Sequence, residues 1–207
     1  MPRAKIDPGP VRAKILEAAV SLLDGNFERL TMKDLAGHLG MSVGYLYRFF
    51  RCKDEIYLTL VNQYYSDLYE ALLKTLADYP DPGGKVEGVI RSFYEMAIGH
   101  YPLYQLVMRP PRVLTDFLGG DMEQLALVQH QSSLRWMDLV KATILGYCAV
   151  RGKSTENASL EERFLFIFSH LHGLIEHRHS RIMPYLASDP QAMQEKQLTL
   201  LVEYALS

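Results

Sequence analysis

From Ile15 onward, apolar residues return every three or four positions, the period of an α-helix, and no stretch alternates apolar and polar as a half-buried strand would. The pattern predicts an all-α chain. ILEAAVSLL (Ile15 to Leu23) reads as a first helix. Thr31 to Lys53, TMKDLAGHLGMSVGYLYRFFRCK, then reads as two short helices joined by a tight turn. Thr31 can cap the first, with Asp34 three places on facing the free amides, and Leu35, Ala36 and Leu39 supply its apolar spacing. Gly40 stops that helix, Met41 fills the turn and Ser42 can cap the next. Leu46 and Phe50, four apart, then fall on one inward face.

After Lys53 the periodicity divides into longer helices. One is expected over about Lys53 to Ala77, with Ile56, Leu60, Tyr64, Leu68 and Leu72 as its stripe and the break DYPDPGG (Asp78 to Gly84) ending it. Others are expected at about Lys85 to His100, Leu103 to Met108, Asp121 to Val150 and Leu160 to His179, with a last one ending at Leu206. Pro110-Pro111, the loop RGKSTENAS (Arg151 to Ser159), Pro184 and Asp189-Pro190 mark the interruptions.

Charge gives this order a direction. The formal net charge of −2 hides nine Lys or Arg against five Asp or Glu in residues 1–53, with the acidic excess in the rest. The face opposite Leu46 and Phe50 carries Val43, Gly44, Tyr45, Tyr47 and Arg48, and no carboxylate occurs from Ser42 through Lys53 to repel phosphate. A helix of that size fits the major groove of double-stranded DNA, so the base is concentrated where DNA would bind. Ser42, Thr31 and Lys53 are placed for the phosphate backbone.

In these residues the chain resembles the DNA-binding domain of the tetracycline-repressor (TetR) family of bacterial transcriptional regulators. The resemblance runs from about Arg12 to Leu60 and covers the first-helix pattern, then Phe27, Thr31, Leu35, Ala36, Gly40, Ser42, Gly44, Leu46, Tyr47, Phe50 and Lys53 in order and spacing. It implies a helix-turn-helix head (1–53), a larger effector-binding and dimerisation body (54–207) and about nine helices in all, while the first ten residues, with three prolines and one glycine, read by composition as a flexible basic arm. It also implies a ligand-responsive regulator, most often a repressor, that binds a palindromic operator as a homodimer; an effector-independent architectural or division-site protein is the alternative. Val43 and Tyr45 depart from the residues common in that family, which puts base reading in a different hand. Cys52 stands where an oxygen-bearing cap is usual, leaving Asp54 and Glu55 to hold the next helix start.

The middle helices are rich in aromatics and methionine. Phe93, Met96, His100, Tyr104, Met108, Gln129 and Trp136 are the candidate lining of an effector pocket, apolar walls with a few polar tips suited to a hydrophobic or aromatic small molecule. The last two long helices carry broad apolar faces, and the resemblance implies that Phe164, Phe168, Leu171, Ile175, Leu198, Leu201 and Val202 pair with a second copy. His170, His172, His177 and His179 lack the spacing of a zinc site, so no metal is expected. No nucleophile motif, phosphate loop or HExxH is present, so neither an enzyme nor a cofactor is expected. Two cysteines without a paired spacing fit a reducing, cytoplasmic setting, and no run of about 18 apolar residues is long enough for a bilayer.

Overall fold

The computed structural model describes residues 8–23 and 26–207. Its regular structure is entirely helical among those residues: α1 (Pro8–Ser21), α2 (Met32–His38), α3 (Val43–Leu46), α4 (Lys53–Asp78), α5 (Pro82–Gly99), α6 (Tyr101–Met108), α7 (Glu123–Val150), α8 (Asn157–His179), α9 (Met183–Leu186) and α10 (Pro190–Leu206), with 3-10 turns at Phe27–Arg29 and Leu114–Asp116. The tenth helix, one more than expected, is the single turn α9. Pro184, read from sequence as a break, sits in its first turn, where the missing N–H is no loss. The same tolerance changes the expected N-terminal arm: residues 1–7 lie outside the described residues, but Gly9 and Pro10 already belong to α1.

The chain divides into two compact units, each built from two stretches. One runs up to Tyr65 and resumes over Tyr101–Ser132; the other comprises Ser66–His100 and Ser133–Ser207, so α4 and α7 each contribute to both. In the first, α1, α2 and α3 pack on one another around Ile15, Ala19, Leu35, Leu46 and Phe50, all buried. The Arg12 guanidinium lies 3.9 Å from the centre of the Phe50 ring, donates to the Phe49 carbonyl and meets Glu55 at 3.5 Å. One side chain thus ties α1 to the end of the turn after α3 and to the start of α4.

In the second unit α5, α8 and α10 pack together over Phe93, Ile167, Leu171, Ile175, Leu198 and Leu201. The turn into α5 is fixed locally: Asp81 accepts from the Gly84 amide at 2.9 Å, and Pro82 fills the first position. Gly88 sets how closely the end of α4 approaches, since a Cβ there would stand 2.6 Å from the Tyr79 ring. No helix among the described residues is long and apolar enough to cross a membrane.

Candidate nucleic-acid interface

The turn between α2 and α3 is built almost entirely from local hydrogen bonds. Thr31 Oγ1 accepts from the Asp34 amide at 3.1 Å, while the Asp34 carboxylate accepts from the Thr31 amide at 3.3 Å and from its hydroxyl at 2.5 Å, a complete capping box. At the other end of α2, Gly40 has φ +63°, the left-handed conformation that ends many helices. The Met41 amide then reaches the Ala36 carbonyl at 2.9 Å and the Gly40 amide reaches the Gly37 carbonyl at 3.2 Å, the pair of bonds of a Schellman motif. Ser42 Oγ accepts from the Tyr45 amide at 3.2 Å and starts α3.

These bonds leave α3 with one face locked and one free. Leu46 and Phe50 are fully buried, whereas Ser42, Val43, Gly44, Tyr47 and Arg48 are exposed. Tyr45 is half-buried: its ring meets Phe49 edge-on at 5.2 Å and lies 5.5 Å under the Arg48 guanidinium, which fixes its direction. Lys53 is turned inward. Its ammonium donates to the carbonyls of Phe27 (3.3 Å) and Glu28 (2.9 Å) and lies over the Phe27 ring, so two of its three N–H groups close the 3-10 turn against α4. The start of α4 behind Cys52 is held by Glu55, whose carboxylate accepts from the Arg51 amide at 2.7 Å.

The residues expected to line an effector pocket are divided between the two units. Phe93, Met96, His100 and Trp136 belong to the second unit, and Tyr104, Met108 and Gln129 to the first. Phe93, Trp136 and Phe168 pack with ring centres 5.4 to 6.1 Å apart and leave about 20 Å³, room for little more than a water molecule. Bulky aromatics at helical spacing have filled their own space there. The Trp136 indole N–H is left without an acceptor, and His100 is exposed with Nδ1 3.2 Å from the Met96 carbonyl.

A different cavity, of about 170 Å³, opens inside the first unit, bordered by Tyr57, Val61, Tyr65, Val107, Gln129 and Arg112. Of its lining only Gln129 was expected. Burial raises the Tyr57 and Tyr65 phenols to about 12, with Asp54 and the neighbouring tyrosine adding to the first and a Gln129 hydrogen bond partly offsetting the second. Tyr57 donates to the Arg112 carbonyl at 3.1 Å, and Arg112 pairs with Asp54 and covers the Phe117 ring at 4.3 Å. Tyr57, Val61 and Tyr65 recur every four residues on α4, a stripe beside the one traced from sequence, and that spacing was the signal available for them.

The residues expected to pair with a second copy lie within the second unit. Phe164, Leu171, Ile175, Leu198, Leu201 and Val202 are buried inside the chain's own second unit, and Phe168 packs in its aromatic cluster. What α8 and α10 leave exposed is the adjoining face: Leu165, Phe166, Met193, Leu200 and Tyr204, with the Phe166 and Tyr204 rings 4.0 Å apart and Phe166 stacked on His170. Among the described residues no group of His, Cys, Asp or Glu is arranged to hold a metal.

Residues 15–60 match the family model for bacterial regulatory proteins, tetR family. None of the curated proteins compared matches the chain. Among solved structures it is similar over 94% of its length to the TetR family transcriptional regulator PfmR from Thermus thermophilus (94% of that chain, 18% identity, TM-score 0.69). It is similar over 93% to the ketosteroid transcriptional regulator KstR2 of Mycobacterium tuberculosis (93% of that chain, 15% identity, TM-score 0.70). It is similar over 92% to the transcriptional regulator FadR from Bacillus subtilis in complex with stearoyl-CoA (97% of that chain, 15% identity, TM-score 0.67). The capped helix-turn-helix lies within the residues that match the tetR-family model, and the chain as a whole has the fold of these regulators.

Proposed function

We propose that the chain is a transcriptional regulator of the TetR family, a repressor that binds a palindromic operator as a homodimer and leaves it when a small molecule binds. The observation that carries the reading is the exposed face of α3: Ser42, Val43, Gly44, Tyr47 and Arg48 stand free while Leu46 and Phe50 anchor the helix from beneath. Residues 1–53 bind DNA. Tyr47 and Arg48 contact phosphate and base edges, and Tyr45, steadied by Phe49, presents its ring edge to a base. Lys53 positions the head through its two carbonyl partners rather than touching DNA.

Residues 54–207 carry the effector site and the partner face. The effector site is the 170 Å³ cavity of Tyr57, Tyr65 and Gln129, which accepts a small, partly aromatic molecule with a hydrogen-bonding group. KstR2 and the stearoyl-CoA complex of FadR support an apolar class of ligand, and the volume here favours one much smaller than stearoyl-CoA. The first two turns of α4 hold the head, through Glu55 on Arg12 and the Arg51 amide, and meet the cavity at Tyr57 and through Asp54, which pairs with Arg112, so a ligand that moves Tyr57 off the Arg112 carbonyl also disturbs the helix start that anchors the head. Ligand and DNA then oppose each other by one coupling free energy, about 1–3 kcal/mol, or roughly 5- to 150-fold in operator affinity.

Two copies meet through Leu165, Phe166, Leu200 and Tyr204, which places two recognition helices on one two-fold axis. The closed aromatic cluster around Trp136 is what favours the alternative, a DNA-binding protein without an effector. Footprinting on the DNA upstream of its own gene separates the two. Two protected half-sites about 34 Å apart, released by a compound whose effect is lost in Gln129→Leu and Tyr65→Phe, support the repressor. Protection that no aromatic or apolar compound relieves supports the alternative.

A further inference from the structure

The second unit holds a larger depression that the effector reading does not use. It is a cleft of about 550 Å³ where α5, α8 and the start of α10 meet, with Arg91, Tyr94, Glu95, Arg178, Gln194 and Glu195 on its polar walls. Those walls also include Gln191 and Asp189, whose carboxylate accepts from the Ala192 amide at 3.0 Å. Its two arginines differ. Arg91 is neutralised by Glu87 at 2.8 Å and Glu195 at 2.6 Å. Arg178 makes no ion pair among the described residues and only touches the Gln194 side-chain oxygen at 3.5 Å.

Gln194 is buried, 4% exposed. Its oxygen accepts from Tyr94 at 3.4 Å and from Arg178 at 3.5 Å, both at the long limit of hydrogen bonding, while its amide nitrogen has no acceptor at all. A buried amide left unpaired is destabilising, and a site where one persists beside an unneutralised guanidinium lacks one chemical group: an anionic oxygen acceptor. Ile98, Ala192 and Leu198 complete the wall with apolar surface.

We infer that this cleft is a second ligand site, independent of the effector cavity, that takes a small organic carboxylate: the carboxylate on Arg178 and the Gln194 amide, the apolar part against Ile98 and Leu198. The two long contacts on the Gln194 oxygen are easily exchanged for short, charge-assisted ones to the ligand. Glu95 faces the same cleft, so a zwitterionic amino acid is one source of the carboxylate and a simple aliphatic or aromatic acid the other.

Calorimetric titration of the full chain with hexanoate, benzoate, leucine and phenylalanine tests this, with hexanamide and benzamide as uncharged controls. At least one carboxylate should bind at up to millimolar concentration and its amide should not. Arg178→Gln should weaken that binding about 10- to 150-fold, the range for losing a hydrogen bond to a charged group. Glu95→Gln should weaken the amino acids alone if they are the source and leave the simple acids unchanged. Gln194→Met removes the unpaired amide at similar volume, so it should abolish binding while raising the melting temperature of the free protein. A lower melting temperature in Gln194→Met, or no binding by any of the four carboxylates, overturns the proposal.

Discussion

The α2–α3 turn and the α8–α10 pair are both helical, both apolar on one side and both proposed to meet a partner, yet they are specified differently. In the turn, Thr31, Asp34, Gly40 and Ser42 each act on a backbone group within five residues, so conformation and exposed face follow from the local sequence. On α8 and α10 apolar residues nearly encircle the helix, and which of them go inside is decided by α5 and by each other. Ile175 and Leu201 are buried, while Leu165 and Leu200 are 59% and 46% exposed.

The largest expected effect breaks the second region. Ile175→Ala should lower stability by about 2–5 kcal/mol, because it opens a cavity in a closed core, whereas Leu165→Ser should stay within about 0.5 kcal/mol. Urea denaturation measures both. In sedimentation the ranking should reverse, with Leu165→Ser favouring monomers at concentrations where Ile175→Ala, while folded, still self-associates. Equal destabilisation by the two would erase the distinction between inner and outer faces.

The turn should be broken by smaller, backbone-level changes. Gly40→Ala forces a Cβ into φ +63°, at a cost of about 1–2 kcal/mol, although nothing lies within 4 Å of the new atom. Thr31→Ala removes the capping box and should cost about 1 kcal/mol. Thermal unfolding of the two variants checks the order, and a silent Gly40→Ala would mean that packing rather than conformation sets the turn.

The smallest effect is invisible at neutral pH. Tyr57 and Tyr65 have phenols raised to about 12 from an ordinary value of 10, so the folded chain holds their protons more tightly than the unfolded one. The stability they contribute is complete below pH 10 and is lost as pH rises from 10 through about 12. Tyr65→Phe should flatten that part of the stability profile; an unchanged alkaline slope would show that the phenol is not protected by burial.

Legibility along the chain follows the same contrast. The long helices were readable to within a few residues because their breaks, Asp78 to Gly84 and Arg151 to Ser159, are local features. The exposed side of α3 was readable because Leu46 and Phe50 take the buried one. The carbonyl partners of Lys53 were not readable: its charge suited phosphate, and nothing in its neighbourhood announced Phe27 and Glu28, 26 and 25 residues away. Likewise Phe93 and Trp136 carried the composition of a pocket, but composition does not say whether aromatic rings surround a space or fill it. Pro184, in the first turn of α9, was taken for a break, and Pro10, in α1, for part of a flexible arm, because the sequence signature of proline is the same whether it ends one helix or begins another.

The central claim is that the outer face of α3 reads DNA. A gel-shift titration at physiological salt, on the DNA upstream of its own gene, compares the parent chain with Tyr47→Ala/Arg48→Ala. Both residues are exposed, so helical content and melting temperature should match the parent while the shifted complex is lost or weakened at least tenfold. A double variant that binds this DNA as tightly as the parent would contradict the account.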